Sequence, residues 1–257
     1  MLIDSHAHLD MDDFAADRDP VIKRAVQGGV ARIVTIGIDL ASSKKAIEIA
    51  KKYDFIYATV GYHPHNADEA DPRDLEKLRA LASEPKVVAW GEIGLDFFRR
   101  HSPPEKQVKA FERQLDIASE QALPVIIHDR VAHTDLLRIL KSRKKQYRGV
   151  IHCFSGNYDL AMALIELGFC ISFPGTVTYK NAVDTQAVAT RIPLERLLVE
   201  TDCPYLTPLP FRGKRNEPLY VKHTAEKIAQ LRQLDFEELA QAISANTIRL
   251  FNLPETL

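Results

Sequence analysis

Residues 2–10 read LIDSHAHLD, an apolar start carrying Asp4, His6, His8 and Asp10 at every second position. Side chains alternate across an extended strand, so residues i and i+2 point the same way. If this stretch is a strand, His6 and His8 offer two imidazoles to one side. Imidazole nitrogens and carboxylate oxygens together suit divalent ions such as zinc or manganese. His63, Glu92, His128, His152 and Asp202 each lie at the end of a later apolar run. His6, His8, His128, His152, Glu92 and Asp202 are more ligands than one tetrahedral ion needs. They fit two ions roughly 3.5–4 Å apart that share a bridging group. The chemistry of such a pair is hydrolysis, in which water is acidified toward a pKa of about 7 and the substrate's oxygen is polarised. Asp202 is placed to orient that water and take its proton.

A lone histidine at a strand end is usually just hydrogen-bonded or solvated, so the weight lies in convergence. Seven of the nine histidines fall at or just past strand-like runs, the exceptions being His133 and His223 in helix-like stretches. His63 reads as a ligand, a substrate contact or a partner of a ligand. His65 and His101 stay open in the same way. Asp4 and Asp10 read equally as carboxylates that orient imidazoles and as loop or capping residues.

The runs that must position these groups are short and rich in β-branched residues. They span 2–8, 32–38, 55–63, 87–94, 124–128, 149–154, 169–173 and 197–202. Near-continuous apolar runs are expected of parallel strands covered on both faces. Helix-like stretches alternate with them near 18–28, 41–52, 72–83, 105–122, 132–145, 158–167 and 181–190, and two more follow near 219–232 and 235–251. In 105–122, Val108, Phe111, Leu115, Ala118 and Ala122 step by three and four into one apolar stripe. Pro103 and Pro104 precede it, where prolines suit a helix start. Eight alternations predict an α/β fold, a (β/α)8 TIM barrel of the metallo-dependent hydrolase type, as one domain over residues 1–257. Chemistry in such barrels sits at the carboxyl ends of the strands, which is where the candidate ligands fall. An open doubly wound sheet is the other arrangement to weigh, but no glycine-rich phosphate fingerprint follows a strand.

Hydrophobic residues make up 46% of the chain, enough for a sizeable core, and a net charge of −1 gives no global attraction to nucleic acid or membrane. Cys153, Cys170 and Cys203 form an odd set with no close pair, which suits a reducing compartment. No secretory leader and no 18-residue apolar run is visible. The expectation is a cytoplasmic monomer with no membrane contact and no obligate protein partner.

In combination, LIDSHAHLD at 2–10, PVIIHDRVAHTD at 124–135 and IPLERLLVETDCPYLTP at 192–208 resemble the TatD family of metal-dependent deoxyribonucleases, within the amidohydrolase-like barrel enzymes. GEIGLDF at 91–97, IHCFSG at 151–156 and ANTIRLF at 245–251 extend the resemblance over nearly the whole chain. It implies a barrel holding two or more divalent ions. By that resemblance His6 and His8 bind one ion with Asp202 beside them, His128 and His152 bind the second, and Glu92 bridges both, so no modified lysine is needed. The catalytic carboxylates are then Asp202 and Glu92. Zinc, manganese, magnesium, nickel and cobalt all remain candidates.

The expected substrate is DNA. Arg212, Lys214 and Arg215 lie in FRGKRNEP after the last strand, Arg130 follows His128, and Arg99 and Arg100 lie after the fourth strand. Such cations can hold phosphates, and Tyr205, Phe97, Phe98 and Phe211 can stack bases. With His63, the residues Arg130, Arg212, Lys214, Arg215 and Tyr205 are the candidate substrate contacts, against a plainer reading as loop charges and packing aromatics. The denser cluster SRKKQYR at 142–148 falls at the opposite end of the barrel and reads as a solvated helix end. Two other functions stay open: hydrolysis of an amide, lactone or aminoacyl-tRNA ester at the same site, and metal binding without catalysis.

Overall fold

A computed structural model describes residues 1–254. Eight parallel strands follow one another in the order of the chain: β1 (Leu2–Ala7), β2 (Val30–Thr35), β3 (Ile56–Val60), β4 (Val87–Asp96), β5 (Val125–Arg130), β6 (Gly149–Ile151), β7 (Phe169–Phe173) and β8 (Leu197–Val199). The helices between them are α1 (Arg18–Gln27), α2 (Leu40–Lys52), α3 (Pro72–Leu81), α4 (Pro104–Glu120), α5 (His133–Ser142), α6 (Tyr158–Glu166) and α7 (Val183–Arg191); α8 (Val221–Arg232) and α9 (Phe236–Phe251) close the chain. This is a (β/α)8 barrel.

Two apolar layers explain the strand sequences. Residues such as Ile33, Ala58, Trp90 and Ile127 pack outward against the helices. Ile3, Val34, Ile36, Ile126, Val150 and Leu198 form a second cluster, which Leu250, Phe251 and Leu253 join from the end of α9. Because both faces are covered, the runs are apolar throughout rather than alternating.

Five expected strands ran too far at the carboxyl end, and the reason is local. The third, sixth and eighth stop at Val60, Ile151 and Val199. Beyond these points some amides turn from the neighbouring strand to side chains. Tyr62 N–H donates to Gln114 Oε1 at 2.8 Å, Cys153 N–H to Glu200 Oε1 at 2.6 Å, and Thr201 N–H to Asp4 Oδ1 at 2.9 Å. Burial continues past the ladder, so the apolar pattern does too. The fourth and fifth strands instead extend to Asp96 and Arg130. In α4 the stripe holds at Phe111, Leu115 and Ala118, but Ala122 lies beyond the helix with φ 54° and is exposed. The helix also buries Gln107 and Gln114, whose amides serve the backbone of Asp96 and Tyr62.

The barrel closes between β1 and β8 by a single bridge, Ala7 to Cys203. Side chains complete the seam. Asp4 accepts from the Thr201 hydroxyl at 2.6 Å, Ser5 Oγ donates to Val199 O at 2.9 Å, and Asp202 N–H donates to His6 O at 2.9 Å.

Candidate metal centre

His6 and His8 leave the carboxyl end of β1 on one face, as the i, i+2 spacing requires, and their Nε2 atoms stand 3.3 Å apart. Glu92 reaches in from β4, with Gly94 two residues on. Gly94 has φ 140°, and a Cβ there would collide with the carbonyl oxygen of His128, so glycine is what lets β4 run against β5 at this level. His128 comes from β5. His152 follows β6 by one residue and stacks on His6, ring centroids 4.0 Å apart. Asp202 lies three residues past β8 in the left-handed region, φ 55°. Its amide is held by the His6 carbonyl, an arrangement that keeps a sparsely populated conformation in place.

These side chains form two groups that meet at Glu92. On one side, Glu92 Oε2 lies 3.3 Å from His6 Nε2 and 3.8 Å from His8 Nε2. Asp202 Oδ1 lies 3.6 and 3.3 Å from the same two nitrogens. On the other, Glu92 Oε1 lies 2.9 Å from His128 Nδ1, 2.7 Å from His152 Nε2 and 3.3 Å from His63 Nε2. Ligand atoms bound at about 2.1 Å around one tetrahedral ion stand about 3.4 Å from one another. The spacings, from 2.7 to 3.8 Å, bracket that value, and the donors are all imidazole nitrogens and carboxylate oxygens. The residues therefore fit two divalent ions, and the potential ligand sets His6–His8–Glu92, His6–His152–Asp202 and His63–Glu92–His128 overlap at the centre.

Electrostatics show how closely the groups are coupled. Burial alone would raise the Glu92 carboxyl, but His152, His63 and His6 together hold it well below the usual range. Asp202 is lowered too: burial opposes this, and the His8 hydrogen bond together with the charges of His6, His8 and His152 outweighs it. Burial pushes His63 down to about 4 and lowers His6. Burial also works against a proton on His128 and His152, yet Asp96 and Glu92 raise the first, and Glu92 and Glu200 raise the second well above its usual value.

Two carboxylates behind the imidazoles carried no assigned role in the sequence. Asp96 Oδ2 lies 2.8 Å from His65 Nε2 and 3.3 Å from His128 Nε2. Glu200, fully buried, lies 3.4 Å from His152 Nδ1. A usable signal existed: Asp96 is four residues from Glu92 on a strand, and Glu200 is two before Asp202. Asp4 does not face an imidazole nitrogen. It accepts the His6 amide and grips Thr201, so it fixes backbone, and burial pushes its carboxyl up to about 8. Asp10 Oδ1 has no partner among the described residues. His133 pairs with Asp129 at 2.7 Å and His223 with Glu226 at 3.0 Å, apart from the centre.

The rim residues separate into two kinds. Arg130 lies with its Cζ 4.2 Å over the Phe98 ring, and the Tyr205 ring is 6.5 Å from that of His8. Arg215 is instead committed to Asp17, at 2.7 and 2.8 Å, and lies over Phe14. Arg212 covers Tyr179 and Lys214 stands 5.8 Å from the Phe211 ring. In the SRKKQYR segment, which follows α5 and precedes β6, Arg143 pairs with Asp116 of α4 and Arg148 donates to Ala122 O. A cavity of about 920 Å³ lies between α5, α6 and α7 and is lined by none of the clustered ligand side chains.

Comparison with known proteins gives the same picture. A family model described as TatD related DNase matches residues 3–252. The chain is 45% identical over 254 residues to the Bacillus subtilis protein named uncharacterized metal-dependent hydrolase YabD, covering 98% of this chain and 100% of the relative. It is 38% identical over 259 residues to the 3'-5' ssDNA/RNA exonuclease TatD of Erwinia tasmaniensis, covering 98% and 100%. Among solved structures, YjjV, a TatD homologue from Escherichia coli, superposes with a TM-score of 0.93 at 35% identity over 98% of both chains.

Proposed function

The chain belongs to the TatD-related DNase family and is a metal-dependent hydrolase, and from that premise we propose that it is an exonuclease that cleaves phosphodiester bonds in DNA. The observation that carries the reading is Glu92, which presents one oxygen to each ligand group. In the proposal His6, His8 and Asp202 would hold one ion and His128 and His152 the other, with Glu92 contributing to both sets. The position of His63 beside Glu92 Oε1 supports a role as a further ligand or as a contact to the substrate. When bound, the two ions supply an acidified water and polarise a phosphoryl oxygen.

Asp202 orients the attacking water and takes its proton; a carboxylate held below its usual range by His8 is free to accept at neutral pH. Glu92 keeps both ligand groups in register and stays ionised. Asp96 and Glu200 hold His128 and His152 in orientation. Arg130 is the nearest candidate for a phosphate contact, being two residues beyond His128 on the same face of β5. Arg212 and Lys214 extend the cationic rim, and the pairing of Arg215 with Asp17 supports a bracing role over a direct contact.

No helix among the described residues is long and apolar enough to cross a membrane. The three cysteines are free, which supports a reducing, cytoplasmic setting. We take residues 1–257 as one domain acting as a monomer. The test is end-labelled single-stranded DNA incubated with the protein, with EDTA, and with added magnesium or manganese. Stepwise shortening that requires metal and is absent in Glu92→Gln is expected, and the labelled end identifies the polarity. A metal-loaded protein that leaves DNA intact with every ion tried refutes the nuclease reading.

A further inference from the structure

Of the four rim aromatics that can stack bases, Phe97, Phe98, Tyr205 and Phe211, two are used up by packing. Phe97 is half-buried against the core, and Phe211 stacks on Tyr220 with centroids 4.4 Å apart. The other two are open. Phe98, in the loop after β4, is 58% exposed, and Tyr205, in the loop after β8, is 52% exposed.

Phe98 is not exposed through a loose loop. Its amide and that of Arg99 donate to Asp96 Oδ1 at 2.9 and 2.8 Å. The other oxygen of the same carboxylate faces His65 and His128. One side chain thus fixes both the ring's backbone and a ligand imidazole. The Arg130 guanidinium lies against the ring at 4.2 Å and the Arg99 guanidinium stands farther off, 6.0 Å from the ring centre. Arg130 shares a strand face with His128, and Asp96 pairs with it across β4 and β5. A rigid aromatic ring with a guanidinium against it and an exposed remainder is a stacking platform, and nucleobases stack on such rings irrespective of sequence. Tyr205 stands beside His8, on the opposite ligand group.

We propose that Phe98, backed by Arg130, is the platform on which the base at the cleaved end stacks, with Tyr205 receiving a neighbouring base across the metal centre. This rests on the nuclease reading and assigns the residues that hold the end being cleaved.

The experiment uses the full-length, metal-loaded protein and two oligothymidylates, identical except that one has an abasic terminal nucleotide at the attacked end. For the wild type, KM is expected to be about tenfold or more lower for the base-bearing end, the range found when stacking aromatics are removed. Phe98→Ala raises that KM to the abasic value, leaves the abasic KM unchanged and keeps kcat within about twofold; Phe98→Trp restores the discrimination. A variant that raises both KM values equally shows a structural role and overturns the platform. So does a wild type that cleaves both substrates alike. A wild type that cleaves neither overturns the nuclease reading itself, and the platform with it.

Discussion

On the β5 and β6 side of Glu92, each imidazole has a polar group behind it. His128 Nε2 meets Asp96 and His63 Nδ1 accepts the His65 amide at 3.1 Å, while His152 Nδ1 lies 3.4 Å from Glu200 Oε1 without a hydrogen bond to it. On the β1 side, His6 Nδ1 and His8 Nδ1 are buried and meet no partner among the described residues. A carboxylate behind an imidazole orients the ring and makes it a stronger ligand. His6 and His8 are instead oriented by packing, such as the stack of His6 on His152. The two ions should then differ: one in a site shaped before it arrives, the other in a site that depends on Asp202 and on the ion itself.

Glu92→Gln tests what the two halves share. It should lower kcat by about a thousandfold or more, the several kcal/mol that metal assistance supplies, and bound metal measured by atomic emission should fall at both positions. Loss of only one ion would break the symmetry assigned to Glu92. Asp202→Asn should fall on the β1 side alone: about 10²–10⁴-fold in kcat, with one ion retained. Asp96→Asn sharpens the contrast from the other direction. Metal affinity on the β5 side should drop about 10–100-fold in a titration followed by calorimetry, while the β1 ion is unmoved.

The pH dependence of loading should be milder and uneven between the two sides. On the β5 side His128 and His152 both hold their protons above the usual imidazole value, whereas on the β1 side His8 does so but His6 loses its proton more readily. A raised pKa means that a proton must leave over a wider pH range before an ion can bind. Uptake on the β5 side should therefore release more protons near neutral pH, and its affinity should rise more steeply with pH. Calorimetry in two buffers of different ionisation enthalpy reads this directly; equal proton release on both sides would contradict the comparison.

The β1 half was the easier half to read. His6 and His8 are two residues apart, and strand periodicity alone puts them side by side. Glu92, His128, His152 and Asp202 were legible because the carboxyl ends of successive parallel strands share one rim. The supporting carboxylates were not. Asp96 meets His65 and His128 only through the register that sets Gly94 against His128 and Asp96 against Arg130, and a sequence carries no register. Arg215 looked like a free cation because Asp17 is 198 residues away. Strand ends were overextended where Gln114, Glu200 and Asp4 took over the backbone's hydrogen bonds, since burial persists there while the ladder stops.

The seam between β1 and β8 has a consequence in time. As the chain is synthesised, His6 and His8 appear before the other ligand side chains and Asp202 after them. A curved but unclosed sheet can form from β1 onward, since each new strand pairs with the one before it. The Asp4 carboxylate, however, waits for Thr201, and Ala7 waits for Cys203. Contacts of such long sequence separation form late. The nascent protein thus spends most of its synthesis with β1 as an open edge, and it can complete neither the seam nor the β1-side ion's ligand set until the last strand has emerged.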